Sequence, residues 1–219
     1  MTSEPSLAHT TSALTERISQ RMDRTVADLI ALARIPGCAF PGFPPAEVRR
    51  AAEKVAELLR DSGCPKVQII DNGDHPPAVY AEVPGPAGAP TVLLYAHYDV
   101  QPAGDEAAWS SPPFAPEMRD GRLYGRGVAD DKSGVIMHAA TVAAFPEGPP
   151  CTLRIIIEGD EEYGGSFEDF PRQHPDMFAA DALIIADSGN IDVGLPTFTS
   201  ALRGMAMVTV TIETLESPV

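Results

Sequence analysis

The chain has 219 residues, of which 44% are apolar, and this is enough for one large domain with a sizeable core. Its 31 acidic and 16 basic residues give a net charge of -15, which disfavours a nucleic-acid partner because phosphate binding needs clustered Lys and Arg. No apolar run approaches the ~18 residues that span a bilayer, and the three cysteines form no CxxC pair, so we expect a cytoplasmic protein without a membrane partner, a disulfide framework or a thiolate zinc site.

The N-terminal part of the chain is predicted to be helical. Apolar residues at helical spacing indicate a first helix over residues 11–34, which the Pro-Gly pair at 36–37 ends. A second helix is predicted to begin just after Pro45, a residue that suits the first helical turn, and Gly63 suits its C-terminal cap.

Short β-rich or apolar runs, separated by turn residues, then predict strands. These runs lie at residues 66–71, 77–83, 91–100, 152–160 and 181–187. A further helix is predicted after Asp131, and its His138 is interpreted as structural because it lies among small apolar residues. Strands that alternate with helices favour an α/β fold with a mostly parallel central sheet flanked by helices.

The C-terminal segment has a different pattern. Residues 197–217 alternate between apolar and polar side chains, which is typical of one strand of a half-exposed antiparallel sheet. We therefore expect an incomplete α/β domain over residues 1–196 and the beginning of a second domain over residues 197–219.

The first candidate functional residues are His97 and Asp99, at the end of the apolar run TVLLY. Residues two apart on a strand share a face, and at the carboxyl end of a parallel sheet that face borders the crevice where ligands bind. Asp99 could accept a hydrogen bond from one imidazole nitrogen and leave the other nitrogen free for a metal ion. A partly exposed ion pair at the end of a strand is the alternative.

A second pair of candidates, Asp130 and Asp131, stands between a glycine-rich turn and a predicted helix. Adjacent carboxylates repel each other unless a cation neutralises them. Capping of the helix N-terminus is the alternative, because Asp is a favoured N-cap residue.

Carboxylates also follow the two later strands. EGDEEYGG, at 158–165, comes directly after an apolar strand, and Asp187 ends the next one, so these acids are expected at the same sheet edge as His97. One carboxylate could bind a metal ion while a neighbour acts as general base; a solvated loop and a strand-end cap are the alternatives. Imidazole with carboxylates suits Zn²⁺, or Mn²⁺ and Co²⁺, and a bridging carboxylate would allow two ions ~3.5–4 Å apart.

Four motifs, in this order, resemble those of a known family of dinuclear zinc metallopeptidases. They are HYDVQP, WSSPPF, DGRLYGRGVADDKSG and EGDEEYGG, which begin at residues 97, 109, 120 and 158. The family includes carnosinase-type dipeptidases, glutamate carboxypeptidases, aminoacylases and succinyl-diaminopimelate desuccinylases. The first two motifs together resemble the dipeptidase branch most.

The resemblance implies a site for two zinc ions. His97 would bind the first ion, oriented by Asp99, and Asp187 would complete that ion's ligands. Asp130 would bridge both ions and would be followed by a cis peptide bond, while Glu162 would bind the second ion.

The resemblance also implies hydrolysis of the peptide bond of dipeptides or short peptides, with Glu161 as the general base that deprotonates the bridging water. An N-acyl amino acid deacylase or a carboxypeptidase with the same metal centre is an alternative. A non-catalytic, truncated metal-binding or dimerisation module is another.

Finally, the resemblance implies a longer protein of roughly 450 residues. A further histidine ligand near the C-terminus and a histidine in a dimerising lid domain have no counterpart among the 219 residues. Residues 197–219 would begin this lid domain, through which the full-length protein would form a homodimer. We therefore expect the 219-residue chain to be an N-terminal fragment with an incomplete second zinc site and no activity.

Overall fold

The computed structural model describes residues 7–164, 167, 169–212 and 214. The predicted first helix is divided at Arg21 into α1 (Leu7–Gln20) and α2 (Met22–Ala33). Proline begins α3 (Pro45–Asp61), as predicted, and Gly63 follows that helix with a φ of 103°, a conformation that glycine adopts without strain. The other helices are α4 (Lys132–Ala143), the one-turn α5 (Phe170–Gln173) and α6 (Pro175–Phe178), and a 3₁₀ turn at Glu106–Ala108.

The strands form a central sheet and a separate hairpin. They are β1 (Lys66–Asn72), β2 (His75–Val83), β3 (Thr91–His97), β4 (Glu117–Arg119), β5 (Arg122–Tyr124), β6 (Thr152–Glu158) and β7 (Ala182–Ile185). The five-stranded sheet has the order β1-β2-β6-β3-β7, and β4 pairs only with β5. The α/β class with flanking helices is thereby confirmed.

The sheet is mixed, which corrects the prediction of a mostly parallel sheet. Strands β3 and β6 pair in parallel, as do β3 and β7, whereas β2 is antiparallel to both β1 and β6. A short turn joins β1 to β2, and such a turn can connect only antiparallel neighbours. The parallel pair β3 and β6 is connected through α4, the helical crossover that parallel pairing requires.

The core lies mainly on one face of the sheet, under α2, α3 and α4. Alternate residues of β3 and β6 point into it, for example Leu94, Ala96 and Ile155, which are 4% exposed or less. The opposite face carries a smaller cluster, in which Leu93 packs near α6. His97 lies four residues after Leu93 on β3, and residues an even number of positions apart on a strand share a face, so His97 lies on this second face.

The chain divides into two compact units, Met1–Asp187 and Ser188–Val219. In the second unit, residues 197–212 and 214 form neither helix nor strand, which differs from the predicted strand over 197–217; residues 213 and 215–217 lie outside the described part. An isolated strand leaves its backbone groups unpaired, and no partner strand is present among the described residues of this unit. The assignment of 197–219 to a lid domain stays a prediction.

No helix in the described part of the chain combines the length and the apolar character that crossing a membrane requires.

Candidate metal centre

The candidate site begins with His97, the last residue of β3. Its imidazole is fully buried, and Nδ1 lies 3.2 Å from Oδ1 of Asp99, which is also fully buried. The strand ends earlier than the predicted residue 100, so Asp99 lies just beyond it. The predicted pairing of the two side chains nevertheless forms, and it leaves Nε2 of the imidazole free to face other groups.

Asp99 also holds the loop that follows β6, a contact that the sequence did not reveal. Its Oδ1 accepts the backbone N–H of Glu161 at 3.2 Å, and its Oδ2 accepts that of Glu162 at 3.1 Å. One buried carboxylate therefore fixes both the imidazole of His97 and the two consecutive glutamates.

Three carboxylates surround Nε2 of His97. Oδ1 of Asp130 lies at 3.2 Å, Oδ1 of Asp187 at 3.8 Å and Oε2 of Glu161 at 3.9 Å. These residues come from the segments after β6 and β7 and from the turn before α4. They meet because the parallel strands β3, β6 and β7 have their carboxyl ends at one edge of the sheet.

Two groups of possible ligand atoms can be drawn around His97, each with its atoms within 4.8 Å of one another. One group joins His97 to Asp130 and Glu162, and the other joins it to Asp131 and Asp187. The structure thus brings together all four residues that the sequence predicted as metal ligands. It also adds Asp131, for which the sequence left a capping role open.

The two adjacent aspartates have different surroundings. The peptide bond between Asp130 and Asp131 is cis. Asp131 is the N-cap of α4; its Oδ1 accepts the N–H of Gly134 at 3.2 Å and its Oδ2 that of His97 at 3.1 Å. Both oxygens of buried Asp131 are thus engaged by backbone donors, whereas the Asp130 carboxylate is 65% exposed beside the imidazole. This contrast favours Asp130 as the metal ligand.

Electrostatics indicate a site with uncompensated negative charge. Burial lowers the pKa of His97, but Asp99, Asp131 and Asp187 outweigh it and raise that pKa to about 10. Burial raises the pKa of Asp187, and Asp130 and Asp99 raise it further. The pKa of Glu161 is likewise raised, first by burial and then by the neighbouring carboxylates.

Further residues that sequence reasoning missed support the site. The Lys132 ammonium is fully buried and donates to the Ile35 carbonyl at 2.7 Å, which fastens the start of α4 to the segment after α2. Gly159 is required by close packing, because a Cβ there would lie 2.1 Å from the Tyr98 hydroxyl. Both residues lie inside motifs that the sequence analysis quoted, so position within a motif was the available signal.

The donor set fits divalent metal ions of the zinc type. One imidazole nitrogen, on a ring whose other nitrogen is oriented by a carboxylate, together with several carboxylate oxygens is a combination that Zn²⁺ accepts. Burial and, after it, repulsion between neighbouring carboxylates raise the pKa values of Asp187 and Glu161, and a bound cation would offset both effects.

Known proteins resemble this chain in sequence and in fold. Residues 93–217 match the model of Peptidase family M20/M25/M40. The chain belongs to this family. The resemblance inferred from the four motifs is thereby confirmed, and the metal-dependence of this family is consistent with the ligand groups around His97.

Several dipeptidases are similar to this chain in sequence. Cysteinylglycine-S-conjugate dipeptidase from Corynebacterium striatum is 45% identical over 178 residues, which cover 77% of this chain and 38% of the relative. Succinyl-diaminopimelate desuccinylase from Rhodospirillum centenum is 42% identical over 142 residues, which cover 62% of this chain and 36% of the relative. The structure of the dipeptidase Dug1p from Saccharomyces cerevisiae superposes with a TM-score of 0.76 at 25% sequence identity. The superposition covers 83% of this chain and 42% of the Dug1p chain. The chain thus spans less than half the length of these relatives.

Proposed function

We propose that the intact protein is a zinc-dependent hydrolase that cleaves the peptide bond of dipeptides or short peptides. The observation that carries this proposal is the convergence of Asp130, Asp187 and Glu161 on Nε2 of the His97 imidazole. Membership of Peptidase family M20/M25/M40 supports the reaction class.

Four residues are proposed as metal ligands in this chain. His97 and Asp187 would hold one ion, Glu162 would hold a second ion, and Asp130 would bridge the two. Bound zinc ions would supply polarisation of the scissile carbonyl and a lowered pKa, near 7, for the attacking water. Mn²⁺ or Co²⁺ could replace zinc with the same ligand types.

Glu161 is proposed as the general base. Its carboxylate lies 3.9 Å from Nε2 of His97, and its backbone N–H is held by Asp99, so it is fixed at the edge of the ligand cluster. A pKa raised by burial and neighbouring carboxylates brings a glutamate closer to the operating pH, where a general base is most effective. Glu161 would take a proton from the attacking water and pass it to the leaving amine.

Asp99 is proposed as a positioning residue that acts through others. It orients His97 and holds the backbone of both glutamates.

The substrate class rests on the relatives. The similarity to dipeptidases over more than three quarters of this chain favours a dipeptide substrate. The similarity to a desuccinylase over a shorter stretch supports the alternative of an N-acyl amino acid, because removal of a succinyl group from an amine also breaks an amide bond.

We also propose that the intact protein forms a homodimer through a lid domain and resides in the cytoplasm. The three free cysteines, Cys38, Cys64 and Cys151, are compatible with a reducing compartment. The 219-residue chain alone is proposed to be inactive, because His97 is the only histidine of the ligand groups among the described residues. A non-catalytic metal-binding module remains the competing proposal for this chain.

The decisive experiment is Glu161→Gln in the intact protein. We expect hydrolysis of dipeptides to fall by about 10²- to 10⁴-fold, the usual contribution of a general base, while metal content stays at the wild-type value. Activity would be measured with dipeptides and with N-acyl amino acids, and metal by elemental analysis. Glu147→Gln, at an exposed glutamate far from the ligands in sequence, is the matched control. Full activity of Glu161→Gln with normal metal content would refute the assignment.

A further inference from the structure

Gln101 is a half-buried residue beside the ligand cluster. Gln101, four residues after His97, donates from its side-chain Nε2 to Oε2 of Glu162 at 2.7 Å. The same nitrogen also donates to the backbone carbonyl of Glu162 at 3.2 Å. Both acceptors are oxygens, so only the nitrogen of the amide group can face them. The orientation of the Gln101 amide is therefore set by its partners.

Glu162 is held at three points as a result. Asp99 accepts its backbone N–H, and Gln101 donates to its backbone carbonyl and to its carboxylate. A carboxylate has about four lone-pair sites on two oxygens, so the bond from Gln101 leaves capacity for a metal ion. A charge-assisted bond of 2.7 Å fixes the direction in which the remaining lone pairs point.

The segment that carries Gln101 is itself anchored by two other motif residues. Arg126 donates from Nη2 to the Pro102 carbonyl at 3.2 Å, and Trp109 donates from Nε1 to the Ala103 carbonyl at 2.9 Å. The Arg126 guanidinium also lies over the Trp109 ring, 5.4 Å from its centroid. The two residues after Gln101 are therefore held by side chains of other motifs, which limits where the Gln101 amide can reach.

We propose that Gln101 is a positioning residue that holds the Glu162 carboxylate in place for the second metal ion. This inference rests on the proposed function, in which Glu162 belongs to the second ion and His97 with Asp187 to the first. Within the described part of the chain, the Gln101 side chain donates to Glu162 and to none of His97, Asp130 or Asp187, so its effect is confined to the Glu162 side of the site.

The test is Gln101→Met in the intact protein. Methionine has nearly the same length and shape but cannot donate a hydrogen bond. Metal-free protein would be titrated with Zn²⁺ by calorimetry in the presence of a competing chelator. We expect the affinity for the second ion to fall by about 10- to 100-fold, as is typical when a residue that orients a ligand is lost, with the affinity for the first ion unchanged.

Two further variants make the result independent of folding. Gln101→Asn keeps the amide but is one methylene shorter, so it should also selectively weaken binding of the second ion. Gln68→Met makes the same change at an exposed position of β1 and should bind both ions like the wild type. Circular dichroism of each metal-free variant establishes that it is folded.

The possible outcomes separate the two proposals. The positioning role would be overturned if Gln101→Met and Gln101→Asn lowered the affinity for both ions equally, or lowered neither affinity. Glu162→Gln is measured alongside: if it leaves the second ion unaffected, the assignment of Glu162 as a ligand fails, and with it the metal site of the proposed function.

Discussion

Two neighbouring aspartates show how much a single position decides. Asp130 and Asp131 are identical in type and adjacent in sequence, and the same repulsion argument applied to both. In the structure, Asp131 is buried, accepts the backbone N–H groups of His97 and Gly134, and has a pKa raised by burial to about 7. Asp130 leaves its carboxylate exposed beside the imidazole. The Asp131 carboxylate is therefore engaged within the fold, and the Asp130 carboxylate is available to bind a metal ion.

This contrast predicts that alanine substitution of Asp131 changes the stability of the fold, whereas alanine substitution of Asp130 changes metal binding. Asp131→Ala should lower the free energy of unfolding by about 2 kcal/mol, because two buried backbone donors lose a charged acceptor. Asp130→Ala should leave the stability of the metal-free protein close to the wild type but abolish binding of a full pair of ions. Urea unfolding and metal analysis on the same preparations measure both quantities. A stoichiometry of two ions per chain in Asp130→Ala would contradict the bridging role.

At the scale of elements, the site depends on parallel strands and one helix. The carboxyl ends of β3, β6 and β7 deliver His97 and the carboxylates to one edge of the sheet. Helix α4 packs against β3, and its His138 is buried and donates from Nε2 to the Tyr95 carbonyl at 2.9 Å. His138 therefore ties α4 to the strand that ends in His97, as its predicted structural role requires.

This contact predicts a pH dependence of stability. Burial lowers the pKa of His138 below its ordinary value of 6.5, although the bond to Tyr95 partly opposes this. The unfolded chain thus binds more protons than the folded chain as pH falls through about 6.5, so His138 reduces stability in acid. His138→Gln, which keeps an N–H donor, should lose less stability than the wild type between pH 8 and pH 5.

Urea unfolding at both pH values, with a chelator present to exclude metal effects, measures this difference. His174→Gln, at a histidine between α5 and α6 that is not part of any strand, serves as the control and should follow the wild type. Parallel pH profiles for wild type and His138→Gln would rule out the buried neutral histidine.

At the scale of the whole molecule, the protein carries a net charge of -15 and concentrates carboxylates at one sheet edge. A cation that binds only the folded state stabilises it by mass action, by about 2.7 kcal/mol at a hundredfold excess over the dissociation constant. Removal of metal from the intact protein by a chelator should therefore lower its melting temperature by several degrees.

Thermal unfolding with Zn²⁺, with Mg²⁺ and with chelator distinguishes a specific site from general screening of charge. The stabilisation should appear with Zn²⁺, be weaker with Mg²⁺, and be smaller in Asp130→Ala than in the wild type. Equal stabilisation of Asp130→Ala and wild type would show that the metal acts elsewhere.

The sequence by itself determined the α/β class, the approximate strands and helices, and the candidate ligands that meet at one edge of the sheet. Apolar runs that end in His97, in the glutamates and in Asp187 carry this information locally, because strand periodicity and turn residues are properties of neighbours in the chain. Ordered motifs then related these residues to a metallopeptidase family.

Only the tertiary structure decided the mixed strand directions, the different surroundings of Asp130 and Asp131, and the hydrogen bonds from Gln101 and to Asp99 that hold Glu162. Each of these depends on which distant backbone group or side chain a residue meets, such as the contact between Gln101 and Glu162 across 61 positions. Hydrogen bonds between segments so far apart follow from the packing of the strands and loops, and no local pattern in the sequence encodes them.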